Sequence, residues 1–526
     1  MRLNIKLSYE AAYDCFENLI PPIARWYGKD YELMSMHSWG FRYRPSPKNH
    51  GELFSRSFDS GTYPNLEYLG KFHGIQLIHH TKLCFDSMIN IIKSELDTQK
   101  PVIIFNDLYW CPWYTSRYKI MHGGHYCLAI GYEDDGIYVI DSQYASDGAL
   151  LPFDDFRMGF GDFFLCNSLE VYEKEFDWKE LLRSSIADST MFSGPNNMFD
   201  ALKLFSNDIL DKLNLIDEMK EYQDIPSASG IVSKLASIGK KRKQYSLALS
   251  FLSKKYQIFD LDILSRKFIE LSNKWSMIFG LLIKAYYTNS DSILLKRMAD
   301  KINKLAYAEE TILGEIRDVC NDFQCFTSSE IDSDLSISNF DISECSHIDL
   351  ANYANNKGFG YDLNPNNLSE FSDGGRYIYI DNAIGCDEID VDGVSFLILG
   401  NNERYDNISS KGQTIPVNLK PQKYIMFLGC SEWGSHTDKV ELFFEDGEIE
   451  EISIELSNIA STAPAFGERM ITMGRYVFKR KTAVDLTPFR ANLFLKVHSI
   501  RSSKAIEQLK LPYYPNIHIF AISFGI

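Results

Sequence analysis

Apolar residues change their spacing twice along the chain, and the changes divide it into three stretches joined by one polar segment. In residues 1–172, segments of helical spacing mix with short apolar runs rich in β-branched and aromatic residues: PVIIFND (101–107), YCLAIGY (126–132) and GIYVIDS (136–142). That mixture predicts an α+β domain. The last two runs are separated by the acidic turn EDDG, which predicts a β-hairpin. From 173 to 327 glycine and proline become sparse, and apolar residues recur at helical spacing, as in SKLASIGKKRKQYSLALSFLSKKY and KFIELSNKWSMIFGLLIKAYY. These runs predict a helical bundle with Trp275 in its core. Residues 328–349 are largely polar and acidic, without a stripe, and read as a linker. Residues 350–526 hold short strand-like runs such as RYIYIDN, KYIMFLG, KVELFFEDGEIEEISIEL and NIHIFAISF between Gly, Asn and Asp turns, the pattern of an all-β sandwich.

Composition narrows the function classes. The 526 residues are 45% hydrophobic and 24% charged, as in a globular protein. No apolar run approaches the ~18 residues of a membrane span. The opening MRLNIKLSYEAAYD carries acids early and has no apolar secretory core, so a cytoplasmic location is expected. The ten cysteines are scattered, with no zinc or redox spacing, and most are expected to be buried fillers. A net charge of −17 opposes binding to nucleic acid. One local exception is the run Lys240, Lys241, Arg242 and Lys243, with Lys254 and Lys255 a few turns on.

Candidate chemistry starts at Cys15, in YDCFENLI. Asp14 is placed to cap a helix that begins there, and a thiol at the positive end of a helix, next to an imidazolium, becomes a competent nucleophile. Backbone N–H groups at the same end could receive an oxyanion. The alternative is a purely structural cysteine. The base would come from HGGHYCLAIGYEDDGIYVIDSQ, where His125 opens one hairpin strand and Asp141 ends the other. Pairing across EDDG brings position 141 close to 125 or 126, so a carboxylate can orient the ring. The competing reading makes His125 a turn residue and Asp141 a hairpin cap. His122, ahead of two glycines, is the second candidate for the base.

In this order of motifs the chain resembles the bacteriocin-processing type of papain-like peptidase, and more closely the N-terminal domain of the butirosin biosynthesis protein H family. Matching segments are the Cys15 helix, YELMSMHSWGFRY with Glu32, Gly40 and Phe41, and PVIIFNDLYWCPWY with Asp107 and Tyr109. The basic-Tyr and Trp helices at KKRKQYSLALSFL and LSNKWSMIFGLLIKA carry the likeness to about residue 325. The resemblance implies acyl transfer. A phosphopantetheine thioester, delivered by an acyl or peptidyl carrier protein, would load Cys15, and an amine of a small natural product would unload it. It implies that Asp107, Tyr109, Glu32 and Phe41 lie beside the substrate and that no bound cofactor or metal is needed.

Two features depart from that pattern. Pro21 and Pro22 are expected to end or kink the Cys15 helix. The glutamine that often precedes such a cysteine is replaced by Leu, Ser, Tyr and Glu at 7–10, with Ser8 or Tyr9 as substitutes. Elsewhere, Lys240 to Lys243 could dock an acidic carrier or form a solvated helix face. The C-terminal third resembles a galactose-binding-like sandwich, in which Trp433 or Tyr405 could stack on a sugar, or which could serve packing or homo-oligomer formation. Water in place of the amine would make the same site a peptidase or thioesterase, and a silent scaffold is the remaining possibility.

Overall fold

The computed structural model describes residues 2–7, 9–45, 53–60, 65–81, 83–115, 117–141, 145–170, 176–191, 197–223, 226–288, 291–321, 344–381, 388–391, 394–400, 404–479 and 484–526. Ser8, and the linker expected at 328–349 as far as 343, lie outside them. Helices and sheets are mixed as the apolar spacing predicts, with strands concentrated in the C-terminal third. Among the described residues, no helix is long and apolar enough to cross a membrane.

The N-terminal part is built on six strands: β1 (Ile75–His80), β2 (Val102–Asp107), β3 (Gly124–Tyr132), β4 (Gly136–Asp141), β5 (Ala145–Pro152) and β6 (Phe160–Ser168). They form an antiparallel sheet in the order β1-β6-β2-β3-β4-β5. Helices α1 (Ile20–Trp26), α2 (Leu66–His73), α3 (Phe85–Asp97) and α4 (Phe153–Gly159) surround it. Leu19, Ile20 and Ile23 are fully buried against the sheet's core, and each contributes roughly 1.5–3 kcal/mol. The Tyr27 hydroxyl, donating to the Cys166 carbonyl at 2.6 Å, fixes the end of α1 on β6.

The predicted hairpin is β3–β4, and its register holds an irregularity that matters for chemistry. Tyr132 pairs with Ile137 and Gly131 with Tyr138, but Ala129 pairs with Val139 and Leu128 with Ile140, so Ile130 is an extra residue in β3. A one-residue slip exchanges the faces of a strand. Without it Asp141 would stand opposite Leu128. With it Asp141 falls opposite Cys127 and shares a face with His125. The carbonyl freed at the bulge is not left unpaired: the Leu3 N–H donates to Ile130 O at 2.7 Å, and Arg2 bridges to Gly131.

The α-helices that follow among the described residues are α5 (Trp178–Met191), α6 (Met198–Lys212), α7 (Leu215–Met219), α8 (Gly230–Tyr256), α9 (Phe259–Thr288) and α10 (Asp291–Cys320). Trp275 is fully buried among them, as its spacing predicts. At their centre Glu309 accepts from Arg242 twice (2.8 and 3.1 Å), from Trp39 Nε1 at 2.7 Å and from Trp275 Nε1 at 2.9 Å. Trp39, Phe41, Phe54 and Phe58 belong to this apolar cluster although they precede β1 in the chain.

Among the described residues the C-terminal strands form two larger, sandwich-like sheets and a separate two-stranded one, Glu388–Val391 with Val394–Leu397. Of the larger two, one is centred on Val484–Ser499, Tyr424–Ser431 and Tyr513–Gly525, and the other orders Thr414–Leu419, Ile506–Lys510, His436–Phe444 and Ile449–Leu456. Their apolar residues continue into the helical cluster without a break. At Gly280 a β-carbon would lie 2.6 Å from the Trp433 carbonyl oxygen, so only glycine allows α9 this approach. Four residues on, Lys284 joins Glu432 at 2.6 Å and Asp373 at 2.7 Å. Trp433 is packed here against Phe279 and under the Arg376 guanidinium, 4.5 Å from the ring centre, and is not displayed as a flat sugar platform. Tyr405 is half-buried next to Arg404.

Candidate active site

Cys15 stands at the start of a helical turn, directly after its cap. Asp14 Oδ1 accepts the Glu17 N–H at 2.8 Å, and Glu17 Oε2 accepts the Asp14 N–H at 3.0 Å, a reciprocal capping box. Asn18, almost fully buried, donates to the carbonyls of Glu10, Tyr13 and Asp14 and accepts the Glu10 N–H, so the turn before the cysteine is held rigid. Pro21 and Pro22 correct an expectation. They neither end nor kink the helix but occupy its first positions, where an N–H would have no intrahelical partner and a fixed φ suits the turn. The helix continues to Trp26.

His125 Nε2 and Asp141 Oδ2 are 2.6 Å apart, with the carboxylate fully buried and the ring nearly so. Asp141 has two further donors that the sequence did not suggest: Trp113 Nε1 at 2.8 Å and the Tyr114 hydroxyl at 3.5 Å. Tyr114 also meets the His125 ring edge-on, centroids 5.1 Å apart. The run WCPWY between β2 and β3 carried a signal, since aromatic N–H and O–H groups this close to a predicted strand end need partners. Cys15 is partly exposed, and its side chain acts electrostatically on the same imidazole.

Burial pulls the basicity of His125 down, but the hydrogen bonds to Asp141 and to the Cys15 side chain outweigh it and push the ring up to about 9. The imidazolium therefore persists through neutral pH. Because the folded value lies above the ordinary 6.5, its stabilising pairing is complete below that pH and is lost as pH rises through about 9. Alkylation of Cys15 by iodoacetamide, followed as a function of pH, should show an inflection near 9. In Asp141→Asn, burial dominates and that inflection should fall to or below 6.5. An unchanged inflection in the variant would mean that the carboxylate does not govern the ring.

Asp107 and Tyr109 stand close by, since Asp107 pairs with Gly124 and Asn106 with His125 across β2 and β3. Asp107 accepts the Gly123 and Tyr109 N–H groups and His122 Nδ1 at 2.7 Å. Despite some desolvation, these bonds hold its carboxyl below the usual range. His122 is stacked on Tyr109 and largely exposed, and its carboxylate partner is Asp107, whereas that of His125 is Asp141.

Glu32 is half-buried and accepts its neighbour's N–H, Tyr31, at 2.9 Å. Phe41 is fully buried between Phe58 and Phe205 in the helical core, so its ring has no surface left to offer a substrate. The basic run is divided in the same way. Lys241 and Arg242 point inward to Glu17 and Glu309, Lys243 is half-buried on Glu10, and Lys240 is exposed. Lys241 and Arg242 therefore cannot serve as surface docking charges, because buried carboxylates hold them.

Residues 31–142 match the family model described as butirosin biosynthesis protein H, N-terminal, and the match supports a butirosin biosynthesis protein H-like assignment. The matched segment is about a fifth of the chain; it contains His125 and Asp141 and begins after Cys15. No curated protein matches the chain.

Proposed function

We propose, with the butirosin biosynthesis protein H-like assignment as premise, that the protein is a cysteine acyltransferase of secondary-metabolite biosynthesis with a papain-like arrangement of Cys15, His125 and Asp141. What supports the reading is a partly exposed Cys15 on a capped turn, electrostatically coupled to a buried imidazole that is held on a buried carboxylate. The Cys15 thiolate attacks the carbonyl of a carrier-protein phosphopantetheine thioester. The tetrahedral adduct expels the pantetheine thiolate, which takes the His125 proton, leaving an acyl-Cys15 thioester and a neutral ring. An amine of a small natural product then attacks, His125 removes the amine's proton, and Cys15 departs as thiolate. Asp141 holds the ring for both transfers, with Trp113 and Tyr114 holding Asp141 in turn. Asp107 and Tyr109 would line the approach to the site.

Mass spectrometry of the intact protein tests this directly. On mixing with an acyl-loaded carrier, the protein should gain one acyl mass on the peptide containing Cys15, and a small-molecule amine should discharge it as an amide. Discharge at the same rate without amine would make the protein a thioesterase. No acyl mass on a Cys15 that still alkylates would remove acyl transfer altogether.

A further inference from the structure

The buried face of α8 reaches back to the turn that carries Cys15. Glu17, which closes the capping box, is 2% exposed, and it divides its oxygens between that turn and α8. Oε2 takes the Asp14 N–H at 3.0 Å and Gln244 Nε2 at 2.6 Å, while Oε1 takes Lys241 Nζ at 2.9 Å. Lys241 Nζ also reaches Gln244 Oε1 at 3.2 Å, and Gln244 Nε2 reaches the Ala12 carbonyl at 2.9 Å. Alongside, Lys243 pairs with Glu10 at 2.7 Å, and the same Glu10 oxygen accepts the Ala12 N–H. One helix thus grips residues 10, 12 and 17. His125 and Asp141 are carried by the sheet, on which Phe16 also packs through Tyr126 and Phe164, so the turn of Cys15 is held by the sheet on one side and by α8 on the other.

We infer that Lys241 and Gln244 are positioning residues for Cys15, acting through Glu17; the inference rests on Cys15 being the nucleophile. Packing alone would not select these side chains. Sealing an ammonium and a carboxylate away from water costs several kcal/mol per ion, and apolar residues of similar volume often pack as stably. What the polar set adds is direction. The ammonium and the amide orient both Glu17 oxygens, and one of them receives the N–H of the residue directly before Cys15. A nucleophile displaced by about 1 Å can lose on the order of 10²-fold in rate, so a fixed carboxylate at this point has a chemical consequence.

The test uses the full-length protein and measures Cys15 alkylation by iodoacetamide from pH 6 to 10, with circular dichroism and a melting curve on each sample. Lys241→Met and Gln244→Leu should slow alkylation at neutral pH by about tenfold or more and lower the inflection near 9 as the sulfur withdraws from the ring. Lys241→Arg should recover part of the rate. The double variant Glu17→Gln, Lys241→Met leaves no unpaired buried charge, so it should regain the melting midpoint lost by Lys241→Met without regaining reactivity. Variants that melt lower, yet while folded alkylate at the wild-type rate with the wild-type inflection, would reduce these residues to packing and overturn the inference. No acyl donor is used, so a wild-type protein that shows the inflection but never becomes acylated removes the transferase reading and leaves the positioning role standing. A wild-type profile without the inflection removes the positioning role itself.

Discussion

His125→Ala should lower acyl transfer by roughly 10³-fold, because the ring both protonates the leaving thiol and deprotonates the amine. The measurement is a single-turnover reaction with an acyl-loaded carrier, quenched and read by intact mass. Cys15 should remain alkylatable at high pH, where thiolate forms without help, so the loss is separable from unfolding. Asp141 keeps the donors Trp113 and Tyr114 in the variant, which spares it the full cost of a buried orphan charge. Asp141→Asn should cost less, since the imidazole remains and only its charge state and orientation change. A His125→Ala protein that transfers within tenfold of wild type would show that another group moves the protons, and His122 on its Asp107 carboxylate would then be next in line.

The largest stability loss is expected at Glu309, far from the sulfur. Glu309→Ala removes the counter-charge of a fully buried guanidinium at Arg242, which keeps only the Gly40 and Ile238 carbonyls, and takes away the carboxylate to which the Trp39 and Trp275 indoles donate. Breaking a buried ion pair costs about 3–5 kcal/mol and each indole hydrogen bond lost about 1–3 more, which approaches the whole stability of an ordinary domain. The variant should fail to accumulate as folded protein, or should unfold at a much lower denaturant concentration. Arg242→Met with Glu309→Met removes both charges and should recover much of the loss. If Glu309→Ala lowers the unfolding free energy by less than about 2 kcal/mol, the cluster is not the keystone that its burial implies.

Much of the sheet and of the candidate site can be read in local sequence. The alternation in YCLAIGY and GIYVIDS around EDDG becomes the hairpin β3–β4, and Asp14 caps the turn of Cys15 through local bonds that need no tertiary context. What escapes is whatever depends on partners remote in the chain. The run Lys240 to Lys243 looks like a solvated face because a helical run gives no sign of what packs on it. Lys241 and Arg242 turn inward only because Glu17, over two hundred residues earlier, and Glu309 await them. Phe41 lies within the segment that matches the family model and yet packs into the helical core, since 41 and 205 meet only in the folded chain. Pro21 and Pro22, expected to end or kink the helix, mislead for a different reason: proline is hostile inside a helix and welcome at its first turn, and only the start point decides which applies.

The surplus residue in β3 makes the site a matter of odd and even. Counting from the hairpin turn, Ile130 shifts every later position of β3 by one, and that shift alone turns the carboxylate at 141 towards the imidazole. Removing one residue there would preserve the apolar composition and most ladder bonds, yet point the acid out of the cleft. Length variation in this strand would thus separate catalytic from inert versions of the same architecture more sharply than many side-chain replacements would.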